Sequence, residues 1–208
     1  TARKFGVDVT LVEIEERILE RVAAKETSDY IRSLHISNGV KIKEGIGLDK
    51  LEIVDDNVLS ASLTDGSDVT VDFTIVGIGI TPNTELAEGA NLKINNGIFI
   101  NDKCQTSVSN IYAAGDCTSF EYRDTLVRLE SVGNAIDQAT IVAQNIMKQN
   151  TNYLPKPWFW SDQYDLKLQI AGLNTGYDDV VVRKGENKQV SHWYFKGQSL
   201  LAVDALND

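Results

Sequence analysis

A glycine–aspartate pair near the middle of the chain has the residue types of a ligand-binding turn. Gly115 and Asp116 follow residues 110–114, an apolar stretch that predicts a β-strand. Glycine lets a ligand approach the backbone closely, and a carboxylate can accept a hydrogen bond from a sugar or sugar-alcohol hydroxyl. The structural alternative is an aspartate that only caps the next turn. The segment 106–117 (TSVSNIYAAGDC) is nevertheless the strongest candidate site.

An acidic residue at the end of an earlier predicted strand suggests a second ligand. Residues 7–13 (VDVTLVE) alternate β-branched and polar side chains and end at Glu13, as in a parallel strand of an α/β sheet. In a dinucleotide-binding fold, an acid at this place accepts hydrogen bonds from the ribose hydroxyls of NAD and repels the extra phosphate of NADP. Acids at strand ends are also common for solvation alone, so both explanations of Glu13 stay open.

Gly77, Ile78 and Gly79 lie near the end of an apolar run over residues 73–80, which predicts a strand returning to the main sheet. Glycines at such a place let a flat ring approach the backbone without an intervening Cβ atom. The same residues are also compatible with a tight exit from a strand and no ligand at all.

The cysteines and histidines do not predict a metal or redox site. Cys104 and Cys117 are the only cysteines, and they do not form a C-x-x-C pair. Neither His35 nor His192 has a carboxylate or cysteine beside it at ligand spacing. We therefore predict no metal ion, no disulfide framework, and a structural or solvent-facing role for both histidines.

Composition excludes several classes of function. The 208 residues are 42% hydrophobic and 24% charged, which is typical of a globular protein. A formal charge of -10 argues against nucleic acid as a partner, although an acidic protein could still bind at a local basic patch. No stretch approaches the roughly 18 uninterrupted apolar residues of a membrane span. We therefore expect a soluble, cytoplasmic protein with no membrane partner.

Local patterns predict the elements that position these residues. A helix is expected over residues 24–38, a short strand over 40–43, and a β-meander over 51–76 with a turn at Thr64-Asp65-Gly66. The other predicted strands cover residues 97–101, 110–114, 158–160, 166–171, 179–183, 190–195 and 200–203. A long amphipathic helix is expected over residues 130–149, with these side chains on its buried side: Val132, Ala135, Ile136, Ala139, Val142, Ala143 and Ile146.

Several of these stretches resemble the superfamily of FAD- and pyridine-nucleotide-dependent reductases. Its second flavin motif ends in Ala-x-Gly-Asp, which residues 113–116 match. The strings RLES at 128–131, NAIDQA at 134–139 and PWFWSDQY at 157–164 resemble more narrowly the ferredoxin reductases of bacterial oxygenase systems. That group includes the putidaredoxin, rubredoxin and biphenyl-dioxygenase-type reductases. The resemblance extends over the whole chain.

The resemblance implies FAD and NADH as cofactors and assigns roles to further residues. The helix that begins near Glu130, Ser131 and Val132 would direct its free N–H groups toward the flavin, where charge accumulates on reduction. Gly79 and the Glu130 region would flank the nicotinamide. Trp160 would shield the cofactor, or else belong only to an aromatic core. No side chain is expected to be catalytic, because hydride passes directly between the two cofactors.

The implied function is electron transfer from NADH through FAD to a ferredoxin or rubredoxin of an oxygenase system. Two alternatives within the superfamily remain. One is an NADH-sensing flavoprotein of the apoptosis-inducing-factor type without productive turnover. The other is a disulfide or peroxide reductase, which needs a thiol near the flavin. The string PWFWSDQYD favours the ferredoxin reductase.

The implied fold is α/β, with parts of two Rossmann-like nucleotide-binding domains and part of a C-terminal α+β reductase domain. The expected bounds are 1–81 for the NAD-binding part, 82–152 for the FAD-binding part and 153–208 for the C-terminal part. Residues 1–6 resemble the end of a helix closed by Gly6, so the chain is expected to be a fragment that lacks both glycine-rich first turns. In isolation it is expected to bind FAD weakly or not at all, to be inactive, and to self-associate.

Overall fold

A pair of parallel strands carries the acidic strand end at Glu13. In the computed structural model, which describes residues 2–55, 57–186 and 189–208, β1 (Val9–Glu13) pairs in parallel with β2 (Val40–Glu44). Parallel neighbours need a crossover connection. Helix α1 (Lys25–Ser37) supplies it, which confirms the predicted strand–helix–strand order. A short 3-10 helix, Ala2–Phe5, and a left-handed Gly6 precede β1, while Thr1 lies outside the described residues.

An ion pair fixes α1 against this strand pair. The guanidinium of Arg32 donates two hydrogen bonds of 2.8 Å to the two carboxylate oxygens of Glu44. The same carboxylate accepts the backbone N–H of Ile18 at 2.7 Å, in the loop between β1 and α1. The pKa of Glu44 is lowered, chiefly by the hydrogen bonds from Arg32. The Glu44 carboxylate therefore holds the loop that follows Glu13 against β2 and α1.

The predicted β-meander is confirmed. Strands β3 (Leu48–Val54), β4 (Asn57–Leu63) and β5 (Asp68–Thr70) form an antiparallel sheet in that order. The turn between β4 and β5 contains Gly66 at φ +80, a left-handed conformation that glycine adopts at little cost.

Residues 73–80 do not form the predicted strand. They carry no regular secondary structure. More than half of the surface of five large apolar residues in this run is exposed: Phe73, Ile75, Val76, Ile78 and Ile80. A strand needs a neighbour that supplies N–H and C=O groups, and the sheet of β1 and β2 has no third strand within the described residues. The predicted strand over residues 73–80 is therefore wrong: the run is apolar, but it pairs with no other strand of the described residues.

The chain divides into two units. The first contains Thr1–Ile78, Ser161–Gln169 and Asn174–Asp208. The second contains Gly79–Trp160 and Ile170–Leu173. No helix within the described ranges is long and apolar enough to cross a membrane.

The second unit contains helix α2 (Glu85–Gly89) and a small sheet. Strand β6 (Ile98–Phe99) pairs in parallel with β7 (Thr118–Tyr122), which pairs antiparallel with β8 (Thr125–Val127). The predicted strand over residues 110–114 is wrong, since it makes one isolated bridge, between Gln105 and Tyr112. Its backbone groups bond locally: Ile111 N–H donates to Val108 at 2.9 Å.

Helix α3 (Val132–Ile146) is shorter than predicted, and its polar side is buried where the apolar side was expected to be. Five of the seven side chains expected to be buried are exposed: Val132, Ile136, Ala139, Ala143 and Ile146. The buried side chains are instead Asn134, Gln138 and Asn145. Buried amides are stable only when they are hydrogen bonded. Asn145 meets this condition by donating to the carbonyls of Lys103 and Thr151.

An apolar core beside α3 holds the second unit together. Its buried members are Ile100, Cys104, Phe120, Leu129 and Tyr153. The Tyr153 hydroxyl donates to the Asn134 side-chain oxygen at 2.6 Å, and its ring meets Phe120 edge-on at 5.5 Å. Each large side chain buried here contributes about 1.5–3 kcal/mol. Because Asn134 belongs to α3, this core fixes the helix on its polar side.

The five strands predicted near the C-terminus are confirmed. They are β9 (Trp158–Gln163), β10 (Leu166–Gly172), β11 (Asp179–Lys184), β12 (Val190–Lys196) and β13 (Ser199–Leu206). They form one sheet in the order β11-β12-β13-β10-β9. The chain is thus a mixed α/β protein, as predicted.

A buried polar cluster joins α1 to this sheet within the first unit. Thr27 on α1 donates to Asp204 Oδ2 at 2.7 Å, and the Tyr194 hydroxyl donates to the same oxygen. Tyr194 also accepts the N–H of Ala24, the N-cap residue of α1, which has no side-chain cap of its own. His192 Nδ1 lies 2.6 Å from the Thr27 hydroxyl. The sheet therefore satisfies the backbone N–H of Ala24 and holds the first turn of α1 through the Thr27 side chain.

Candidate functional site

The Gly115–Asp116 pair lies in a four-residue turn. Thr118 N–H donates to the Gly115 carbonyl at 3.0 Å, so Asp116 and Cys117 are the two central residues. Gly115 has φ +89, a conformation that other residues rarely adopt. The Asp116 side chain is exposed and forms no hydrogen bond or ion pair within the described residues. It caps no turn there, and its carboxylate is available to a ligand.

Gln138 on α3 holds this turn in place. Its side-chain oxygen accepts the N–H of Gly115 at 2.7 Å and lies 2.9 Å from the Thr118 hydroxyl. A Cβ atom added at Gly115 would contact Ala135 Cβ at 3.7 Å. The turn therefore packs against the first two turns of α3. Gln138 was not among the predicted site residues.

The start of α3 presents donors. Ser131 is the N-cap, and its hydroxyl accepts the N–H of Asn134 at 3.3 Å. The N–H groups of Val132 and Gly133 have no acceptor within the part of the chain that the structure describes. The Glu130 carboxylate pairs with Arg128 at 2.5 Å. The helix end can thus donate to an oxygen-rich or anionic ligand.

Glu13 lies at the end of β1, as predicted. Its side chain is half-buried, and its Oε1 accepts the N–H of Glu15 at 3.1 Å. This contact holds the carboxylate in a local turn and leaves Oε2 without a hydrogen bond to the described residues. That arrangement is compatible with a polar ligand at the strand end.

Gly77, Ile78 and Gly79 lie in an irregular and exposed run. A Cβ atom added at either glycine would meet nothing within 4 Å, and Gly79 has φ +99. Ile78 is 88% exposed, so the segment is not a packed strand exit. Gly77 and Ile78 belong to the first unit together with Glu13, whereas Gly79 belongs to the second.

Trp160 lies in the second unit, on the same face of β9 as Trp158. The two rings stack with centroids 4.9 Å apart and planes at 29°. Trp160 is 46% exposed, so it is not a core residue. Its flat side chain is available for contact with a ligand or partner.

The cysteines and histidines lie in packing positions. Cys104 is fully buried, and burial raises the pKa of its thiol to about 11, so it does not ionise near neutrality. The Cys117 thiol contacts the Ala114 carbonyl at 3.7 Å. His35 Nε2 lies 2.6 Å from the side-chain oxygen of Gln163. Within the described residues, no three side chains of metal-ligating type cluster.

Two family profiles match the sequence of this chain. The sequence profile described as "Pyridine nucleotide-disulphide oxidoreductase" matches residues 1–139. The chain belongs to this family. A second profile, "Reductase C-terminal", matches residues 158–208, the region of β9 to β13.

Individual members of the family are similar along the whole chain. Putidaredoxin reductase of Pseudomonas putida is 40% identical over 212 residues, covering 100% of this chain and 50% of the relative. Rhodocoxin reductase of Rhodococcus erythropolis is 39% identical, covering 99% of this chain and 49% of the relative. The crystal structure of the ferredoxin reductase for the CYP199A2 system from Rhodopseudomonas palustris superposes with a TM-score of 0.94 at 36% identity, covering 99% of this chain and 52% of that one.

These similarities confirm the predicted resemblance to the ferredoxin reductases and the predicted fold class. The chain spans about half the length of the curated relatives that it matches. The Gly115–Asp116 turn and α3 fall within the region matched by the first profile.

Proposed function

We propose that this chain is part of an FAD-dependent oxidoreductase that oxidises NADH and reduces a ferredoxin or rubredoxin of an oxygenase system. The observation that carries the proposal is the Gly115–Asp116 turn held against the start of α3. A free carboxylate, a close-approach glycine and unpaired helix N–H groups together suit a ligand that combines a polyol chain with an oxygen-rich ring.

These residues fit FAD. Asp116 would accept a hydrogen bond from a ribityl hydroxyl, and Gly115 would leave room for the chain of the cofactor. Ser131 orders the first turn of α3, which leaves the N–H groups of Val132 and Gly133 for the ring, beside the Arg128–Glu130 ion pair. When bound, FAD supplies the conversion of two-electron hydride transfer into single-electron transfer.

NADH would be held by the residues around β1 and residues 77–79. Glu13 would accept hydrogen bonds from the adenosine ribose and repel a 2′-phosphate, which favours NADH over NADPH. Gly77, Ile78 and Gly79 would offer a backbone surface without obstructing Cβ atoms at the two glycines. None of these side chains takes or gives a proton, so their contribution is binding and orientation.

Trp160 would exclude water from the reacting rings. Its ring is held by stacking on Trp158 and keeps about half of its surface open, which suits a shield better than a core residue.

The acceptor is inferred from the relatives. Putidaredoxin reductase and rhodocoxin reductase are named for small redox proteins. A rubredoxin stays an alternative of the same class. The disulfide reductase hypothesis is not favoured, because Cys104 is buried with a raised pKa and Cys117 has no second thiol near it within the described residues. The sensing hypothesis of the apoptosis-inducing-factor type is not favoured by the named relatives.

The proposed domain bounds are those predicted from the sequence. Residues 1–81 would bind NAD, residues 82–152 would bind FAD, and residues 153–208 would form the reductase domain. We propose a cytoplasmic location, where NADH is available. The isolated chain of 208 residues would bind FAD weakly, be inactive, and associate with a second copy through the exposed apolar side of α3.

Turnover tests the proposal. The full-length protein of which this chain is proposed to be part, called the native protein below, is supplied with FAD and assayed for NADH oxidation with ferricyanide, and then with a ferredoxin and a rubredoxin as acceptors. We expect turnover with NADH, little with NADPH, and reduction of one of the two protein acceptors. A flavin-loaded protein that reduces ferricyanide with neither nucleotide contradicts the proposal and favours the sensing alternative.

A further inference from the structure

Gln138 is a fully buried amide at the point where the flavin-binding turn meets α3. Its exposed fraction is 0%, although glutamine is usually a surface residue of helices. Its side chain contacts the two ends of the turn and not Asp116 itself. Such a residue needs a reason to be buried, because an amide loses its bonds to water.

The orientation of the Gln138 amide follows from its neighbour. The Gly115 N–H is a donor, so the atom 2.7 Å from it must be the side-chain oxygen. The nitrogen then points away from the turn. It is buried and has no acceptor within the described residues. A leucine of similar size would avoid this unpaired donor, but it would offer no acceptor to the Gly115 N–H. The useful atom of Gln138 is therefore its side-chain oxygen.

One oxygen holds both ends of the turn. It accepts the N–H of Gly115, which opens the turn, and lies within hydrogen-bond distance of the Thr118 hydroxyl, which closes it. Thr118 is itself fully buried, and its hydroxyl also lies 2.8 Å from the Gly115 carbonyl. Asp116, between these anchors, has no contact of its own to fix it.

We propose that Gln138 is a positioning residue for the flavin-binding turn, acting through the placement of Asp116. The inference rests on the proposed function, since it assumes that Asp116 binds FAD. The Gln138 oxygen accepts the Gly115 N–H and lies beside the Thr118 hydroxyl, and it does not contact Asp116 itself. It fixes the backbone from which the Asp116 carboxylate projects, so that the backbone of the turn need not be ordered when FAD binds.

The first test measures the contact without FAD. In Gln138→Leu the acceptor is lost while the size of the side chain is kept. We expect amide hydrogen exchange at Gly115 to become about tenfold faster, while the α3 amides stay protected. The matched control is Gln144→Leu, the same change later on α3 and away from the turn, which should leave exchange at Gly115 unchanged. Unchanged exchange at Gly115 in a folded Gln138→Leu protein overturns the proposal.

The second test asks whether Gln138 acts through Asp116. The native protein is freed of FAD, and FAD binding is titrated by flavin fluorescence for Gln138→Leu, Asp116→Asn and the double variant. We expect each single variant to bind FAD about tenfold more weakly. In the Asp116→Asn background, Gln138→Leu should cost less than about twofold, because the group that it positions is already altered.

The outcomes are distinguishable. Additive losses in the double variant mean that Gln138 acts on the fold in general, and they overturn the positioning role. If the native protein binds no FAD, the proposed function fails instead, and the exchange at Gly115 still decides whether Gln138 holds the turn.

Discussion

The Thr27 hydroxyl donates a 2.7 Å hydrogen bond to Asp204 Oδ2 across 177 positions of sequence. This contact joins the first turn of the helix after β1 to the last strand of the chain. Burial raises the pKa of Asp204, against the hydrogen bonds from Tyr194 and Thr27, which lower it. The other carboxylate oxygen, Oδ1, is buried and has no partner within the described residues.

The Asp204 carboxyl should make the stability of the fold depend on pH. A raised folded-state pKa means that its contribution is complete below the unfolded pKa of about 3.9 and is lost as the pH rises through the folded pKa. Asp204→Asn removes this titration and keeps an acceptor for Thr27 and Tyr194. We expect the variant to be more stable than wild type near neutral pH by about 1 kcal/mol.

Urea unfolding of both proteins over a pH series measures this effect. Titrating groups outside the cluster of Thr27, His192, Tyr194 and Asp204 largely cancel in the difference between the two unfolding free energies. The stability advantage of Asp204→Asn should grow as the pH rises. An advantage that shrinks toward neutral pH would mean that the folded state prefers the charged carboxylate.

Gly115 should tolerate no side chain, although space for one exists. An added Cβ would make only an ordinary contact with Ala135, but φ +89 is strained for alanine. We expect Gly115→Ala to lower the unfolding free energy by about 1 kcal/mol or more. The matched control is Gly133→Ala within α3, which has open space and should stabilise the helix by up to about 1 kcal/mol. Equal effects at both positions in denaturant unfolding would contradict this interpretation.

Glu13 should govern the choice of nucleotide. In Glu13→Gln, we expect KM for NADH to rise about tenfold with little change in kcat, because ribose contacts bind the ground state and transition state equally. NADPH should be used relatively better, since a repelling charge is removed. Steady-state kinetics with both nucleotides measure this, and the exposed neighbour Glu16 gives the control Glu16→Gln. An unchanged NADH-to-NADPH preference in Glu13→Gln would leave Glu13 as a solvated strand end.

The exposed apolar side of α3 should drive association of the isolated chain. Ile136 lies in that stripe and is 61% exposed. We expect the chain to sediment as a dimer or larger species at micromolar concentration and Ile136→Lys to shift it toward monomer. Ile141 packs against the core on the other side of α3, so Ile141→Ala should lower stability by about 1–2 kcal/mol without changing association. Association that is insensitive to Ile136→Lys would place the contact elsewhere.

The sequence predicted elements whose causes are local. The turn at Gly66 depends on a left-handed residue, and the crossover through α1 follows from helical periodicity between two β-branched runs. The C-terminal strands alternate over short distances and end at turn residues, so each could be placed without knowing its partner.

The two main wrong predictions concern which side chains are buried against a neighbouring element. Residues 73–80 have the composition of a buried strand, but a strand forms only where another supplies its hydrogen bonds. On α3 the apolar stripe predicted the buried side, whereas three amides at Asn134, Gln138 and Asn145 occupy it. Their spacing of four and seven residues places them on one helical face, which was the available indication of Gln138. Several of their partners, among them Tyr153, Gly115 and Lys103, are distant in the sequence and could not be inferred.

An anaerobic titration of the native protein with NADH tests directly whether the flavin accepts electrons from this nucleotide. We expect the protein to bind FAD, about one equivalent of NADH to bleach its visible flavin absorbance, and oxidised ferredoxin or rubredoxin to restore that absorbance. NADPH at the same concentration should bleach it far more slowly. A protein that binds no flavin, or one whose flavin absorbance NADH leaves unchanged, would overturn the proposed function.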